Sequence, residues 1–139
     1  MRTRVRRFAH VLERIGLAMA GAASGLFVGI HVGSSITALT SQGFLLIMMV
    51  SGAVGFYLGI DTPPAPFRPH DDATSSKVDS AEFLSAVGTF LAALTAFSSV
   101  GIIVLRQEAH IFWTTTILLG WMVGVLMQIV AGAITRFRG

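Results

Sequence analysis

The chain contains no cysteine, which excludes disulfides, thiolate metal sites and cysteine nucleophiles together. Charge is scarce: aspartate, glutamate, lysine and arginine make up 12% of the 139 residues and hydrophobic residues 53%, a balance outside that of soluble domains. Proline is confined to residues 61–80, and no carboxylate lies inside any long apolar run. That leaves no acid pair within a span for general acid–base chemistry and no histidine with glutamate at metalloprotease spacing. A phosphate-binding glycine loop after a strand is missing too, so the chain is read as non-enzymatic.

What is present is long apolar runs. Ile15 to Ile60 contains 46 residues without a formal charge. This is too long for one crossing at about 20 residues per span and suits two with a tight turn. The turn is placed in Gly33-Ser34-Ser35-Ile36-Thr37-Ala38-Leu39-Thr40-Ser41-Gln42-Gly43, where hydroxyls and glycines gather and side-chain hydrogen bonds replace helical ones. The expected spans are about 15–35 and 44–60, the second ending before Pro63-Pro64. Phe83 to Leu105 and Ile111 to Thr135 supply two more, separated only by Arg106-Gln107-Glu108-Ala109-His110, which requires an antiparallel connection. The expected fold is an all-α membrane protein of four transmembrane helices in two antiparallel hairpins, 15–60 and 81–135. Residues 61–80 read as a solvated, disordered linker, since their mixed charge and prolines lack any apolar period. Asp79 and Glu82 suit the start of the next helix.

Nine of the ten lysines and arginines fall on the side that holds both ends and the linker; Arg106 stands alone on the other. The positive-inside rule therefore puts the N-terminus, the C-terminus and the linker in the cytoplasm. Residues 1–14 interleave arginines with Val5, Phe8 and Leu12, so apolar and basic groups take opposite faces of a helical turn or two, with a flexible basic tail as the alternative reading. Arg2, Arg4, Arg6, Arg7 and Arg14 are the candidates for binding anionic lipid headgroups, a partner preferred over nucleic acid because the arginines abut a membrane segment. A second basic cluster, Arg136 and Arg138, lies in the short tail 136–139. Ala18-Met19-Ala20 resembles a signal-peptide cleavage site, but the apolar run continues well beyond it. The excess of arginine over lysine suits a GC-rich genome, and the format that of a bacterial inner-membrane protein.

Glycine recurs every fourth residue at Gly21, Gly25, Gly29 and Gly33. This spacing lays a bare stripe along one helix face and allows a second backbone to approach. Weaker counterparts are Ser51, Gly55 and Gly59; Gly88, Ala92 and Ala96; and Gly120, Gly124 and Gly132. Such faces pack either within the bundle or against another subunit. His31 lies about 200° round the helix from Gly29, on the face of Ser24, Val28 and Ser35. An intramembrane imidazole needs a partner: either a neighbouring serine or carbonyl, or a metal or b-type haem shared with His110 and supplemented by Glu108. No cofactor is assigned. The first helix must thus satisfy a close neighbour on one side and an imidazole on the other, which leaves room for one of these partners to belong to another chain. Gln128 shares the line of Gly120, Gly124 and Gly132, where an amide bonds a neighbouring helix or lines a polar path. Thr114-Thr115-Thr116 and Ser98-Ser99 are expected to bond back to their own helices. Trp121 is read as packing, and Trp113 and Tyr57 as interface anchors. The functional expectation is an accessory or scaffold subunit that docks, on itself or on another membrane protein, through small-residue faces. The alternative is a homo-oligomeric channel or transporter subunit with a weakly polar pathway.

Overall fold

The computed structural model describes residues 2–59 and 80–138, the side chains of 2–7, 9 and 138 excepted. Four α-helices follow one another: α1 (Arg2–Ser35), α2 (Gln42–Gly59), α3 (Ser80–Val104) and α4 (Ile111–Arg138), with a 3-10 turn at Thr37–Leu39 between the first two. There is no strand among the described residues. Each helix contains a segment long and apolar enough to cross a bilayer, at mean hydropathies from 1.6 to 2.2, and the chain is an integral membrane protein on that ground.

α1 is one continuous helix of 34 residues, so the basic segment and the first span are not separate elements. At 1.5 Å per residue it is about 51 Å long, some 20 Å more than the roughly 30 Å hydrocarbon core. Its apolar segment is His10–Ser35, which leaves the arginine-rich end as the surplus. Phe8, Leu12 and Ile15 are exposed. Arg2, Arg4, Arg6 and Arg7 as headgroup ligands, the linker 61–79 and the cap by Asp79 all lie outside the described residues or side chains. Arg14 is described: its guanidinium stands 5.7 Å from the centre of the Tyr57 ring, a cation–π contact at the end of α2.

The turns are built from side chains the sequence supplies locally. α1 ends where the Ser34 and Ser35 hydroxyls both donate to the His31 carbonyl, at 2.7 and 3.2 Å, competing with continuation of the helix. Ser41 caps α2 by accepting the Phe44 N–H at 3.2 Å, one of the donors a helix start leaves free. α3 stops at Arg106, whose φ of 50° is the left-handed conformation that normally takes glycine. The Gln107 N–H then returns to the Ile102 carbonyl at 3.1 Å and that of Arg106 to Ile103 at 3.2 Å, the paired bonds of a Schellman stop. His110 caps α4, its Nδ1 accepting the Phe112 N–H at 3.3 Å.

The glycine stripe of α1 lies on α2 and on the turn that precedes it. A methyl group at Gly21 would strike Gly52, one at Gly25 would strike the Met48 backbone, Gly29 faces Leu45 and Met48, and Gly33 faces Leu39. In lipid, apolar surface has little reason to hide from apolar surface, so this close approach supplies the packing energy. Gly88 and Gly124 meet backbone to backbone between α3 and α4, and Gly120 faces Thr95. Gly132 lies on Leu58. In α2 the residue at the crossing is Gly52, whereas Ser51 is only half-buried. Gly55 and Gly59 are buried, facing α4 at Gln128, and Gly52, which the spacing of Ser51, Gly55 and Gly59 does not include, faces Gly21 of α1.

Candidate functional site

The polar side chains that the sequence scatters over four spans converge along one side of α4. Thr114, Trp121 and Gln128 are seven residues apart, which keeps them on one stripe of the helix, and all three are buried. Each meets a different partner across a helix boundary. Thr114 Oγ1 stands 3.5 Å from His31 Nε2. The Trp121 indole N–H donates to Ser24 Oγ at 3.2 Å. Gln128 Nε2 donates to Thr89 Oγ1 at 2.8 Å. Ser24 and His31 are themselves seven apart on α1, so the α1 and α4 stripes run alongside each other in opposite chain directions.

The imidazole thus has a polar neighbour within the chain, and the glycine stripe on the opposite face of α1 packs on α2. His31 is 2% exposed and is held from α4. His110 is exposed, and its Nδ1 accepts the Phe112 N–H at the start of α4. No group of three metal-ligating side chains forms among the described residues. Of the threonine cluster, Thr115 and Thr116 bond back to the carbonyls of Ile111 and Phe112, and Ser98 and Ser99 to those of Leu94 and Thr95. Thr114 departs from that expectation, because its place in the seven-residue series turns it toward α1. Trp121 both packs and donates: its ring edge lies 3.1 Å from where a methyl at Gly25 or at Gly52 would stand, so it closes the α1–α2 crossing from the third side.

Gln128 is wholly buried and occupies the space that Gly55 and Gly59 leave open in α2. Beside it, Thr89 donates to the Ser85 carbonyl at 2.8 Å, and the Ser85 hydroxyl donates to the carbonyl of Gly59, tying the end of α2 to α3. The amide oxygen of Gln128 has no hydrogen-bond partner among the described residues. Flipping the amide would leave an N–H unpaired instead, so the unmade bond belongs to the site. Removing its two sides has opposite consequences. Thr89→Val strands the amide nitrogen and is expected to cost about 1 kcal/mol, within the range for interhelical hydrogen bonds in membranes. Gln128→Leu removes the unpaired oxygen together with the bond and is expected to fall within about 0.5 kcal/mol of the parent. Unfolding in detergent by titration with a denaturing surfactant measures both, and a larger loss for Gln128→Leu contradicts the assignment.

At the other end of the bundle, a cavity of about 500 Å³ opens between the end of α1, the end of α3 and the start of α4. His31 lies at its wall with Ser34 and Ser35, and Arg106, Gln107 and Glu108 line it from the short connection. Sequence reasoning named His31 and Glu108 for this region but missed Arg106, whose role depends on the left-handed backbone conformation that ends α3 in the short connection to α4. It missed Gly52 as well. The seven-residue spacings 24/31 and 114/121/128 are the signal that was available for the seam. Comparisons with protein-family models, with curated proteins and with solved structures find no match for the chain.

Proposed function

We propose that the chain threads a bacterial inner membrane as two antiparallel hairpins, α1–α2 and α3–α4, with both termini and residues 61–79 in the cytoplasm, and acts there as a non-catalytic accessory or scaffold subunit. The lopsided distribution of basic residues supports the orientation. Support for the hairpins comes from the facing order of Gly21 with Gly52, Gly25 with Met48 and Gly29 with Leu45, in which one number rises as the other falls. Because the chain has no cysteine, single cysteines at Gln107 and at Gly139 test the threading cleanly. A membrane-impermeant maleimide is expected to label intact cells at position 107 and not at 139, and labelling of both sinks the topology.

The observation that carries the subunit reading is the outer face of α3. The small residues named above are largely spent inside the bundle, whereas Phe83, Phe90 and Phe97 are 59%, 64% and 77% exposed. These three phenylalanines recur every seven residues with exposed Ala86 and Ala93 between them, and a side chain at Gly101 would meet open space. Large and small groups alternating with a seven-residue period offer knobs and holes to a partner helix, from a second copy or from another membrane protein. Anionic lipid at the basic end of α1 completes the set of partners. The double variant Phe90→Ala, Phe97→Ala is expected to keep its fold, since neither side chain is buried, and to lose the partner retained by the parent after mild detergent extraction. Retention of the same partner by the variant contradicts the reading. The channel alternative rests on Gln128, and ion or solute flux through vesicles containing the pure parent protein would favour it.

A further inference from the structure

The cavity at the α1–α3–α4 end joins two opposite charges that are not used on each other. Arg106 and Glu108 both line it, two residues apart in the connection, and neither makes an ion pair or side-chain hydrogen bond with a described residue. Arg106 stands there at a cost in backbone freedom, since glycine is the residue that its left-handed φ of 50° suits. Gln107 and the two serines Ser34 and Ser35 line the same cavity. Both hydroxyl protons are engaged on the His31 carbonyl, which leaves oxygen lone pairs as acceptors.

The remaining wall is apolar. Ile30, Ile103 and Ile111 line the cavity and are 47%, 40% and 51% exposed, so its apolar side runs out onto the lateral surfaces of α1, α3 and α4. A ligand that fits carries an anion for the guanidinium, an N–H cation for the carboxylate and the hydroxyls, and an apolar portion that leaves sideways between helices. At about 500 Å³ the space is within the range of small-ligand pockets. We infer that this cavity binds the phosphoethanolamine headgroup of a membrane phospholipid, with the phosphate on Arg106 and the ammonium on Glu108. Arginine meets a phosphate through two parallel N–H donors, and a primary ammonium donates hydrogen bonds to Glu108 that a quaternary one cannot.

Native mass spectrometry of the full chain, stripped of lipid in detergent and titrated with defined phospholipids, tests this. One phosphatidylethanolamine per chain is expected to bind at least tenfold more tightly than phosphatidylglycerol, which lacks the ammonium, or phosphatidylcholine, which lacks its N–H donors. E108Q and R106Q are each expected to lower phosphatidylethanolamine affinity about tenfold. R106G serves as the folding control: glycine suits the left-handed turn better than arginine, so this variant keeps the bundle and still loses the lipid. Equal binding of the three lipids, or unchanged binding in R106G and E108Q, overturns the inference. Competition by soluble glycerophosphoethanolamine at the same concentration as the lipid overturns the lipid source and assigns the site to a free zwitterion.

Discussion

Gly25→Leu separates α1 from α2 and is the substitution expected to damage the bundle most. The β-carbon alone would stand within 2.7 Å of the Met48 carbonyl carbon and 3.1 Å of the Trp121 ring, and backbone cannot rotate out of the way as a side chain can. The two helices must move apart along the whole stripe, so the neighbouring contacts of Gly21 and Gly29 loosen with it. Overpacking in a filled core costs about 1–3 kcal/mol where side chains can adjust; here the obstacle is main chain, and a loss above roughly 3 kcal/mol is expected. Leu26→Ala, one residue on, changes a half-buried side chain and is expected to remain within about 1 kcal/mol of the parent. Surfactant-induced unfolding followed by tryptophan fluorescence compares the two, and similar midpoints for both variants contradict the stripe.

Trp121→Ala carries the second-largest expectation. The indole is 1% exposed and fills the gap where Gly25 and Gly52 let the α1 and α2 backbones meet. Burial from water contributes little to this site, because the alternative environment is lipid. The cavity term remains, and at about 24 cal/mol per Å³ the loss of most of an indole costs roughly 3 kcal/mol. Trp121→Phe keeps much of the filling and forfeits the bond to Ser24, so it is expected to lose about 1 kcal/mol more than Ser24→Ala does, from the ring volume still missing. Thermal aggregation of the detergent-solubilised protein ranks the three variants. An alanine variant no weaker than the phenylalanine one would show that the ring does not brace the crossing.

The contrast between these residues indicates how much of the site is legible in the sequence. Gly25 stands out there because a four-residue repeat of glycine within a charge-free run strips one helix face of side chains, and in lipid such a face serves close packing. Trp121 reads as packing on depth alone; its bond to Ser24 leaves no trace in the sequence, since nothing local links positions 97 residues apart. His31 and Gln128 stand out because ionisable and amide groups are costly in hydrocarbon. Their partners, Thr114 and Thr89, resemble every other threonine that can bond back to its own helix. His110 is paired with His31 only by the expected threading; its imidazole caps the start of α4, a local role that the residue type alone does not reveal.

The sequence by itself determined the class of fold and the presence of four helices long and apolar enough to span a membrane. Length, charge and turn chemistry act locally, and a bilayer leaves a long apolar run little choice but helix. Only the tertiary structure decided how each helix is rotated about its axis. Lipid rewards every apolar face alike, so hydrophobic periodicity cannot orient a span, and one residue of difference is a rotation of about 100°. That rotation separates Gly52 from Ser51 at the crossing. It also sets Thr114 against His31, lays the Gln128 oxygen over Gly55, and brings Arg106 and Glu108 to one cavity.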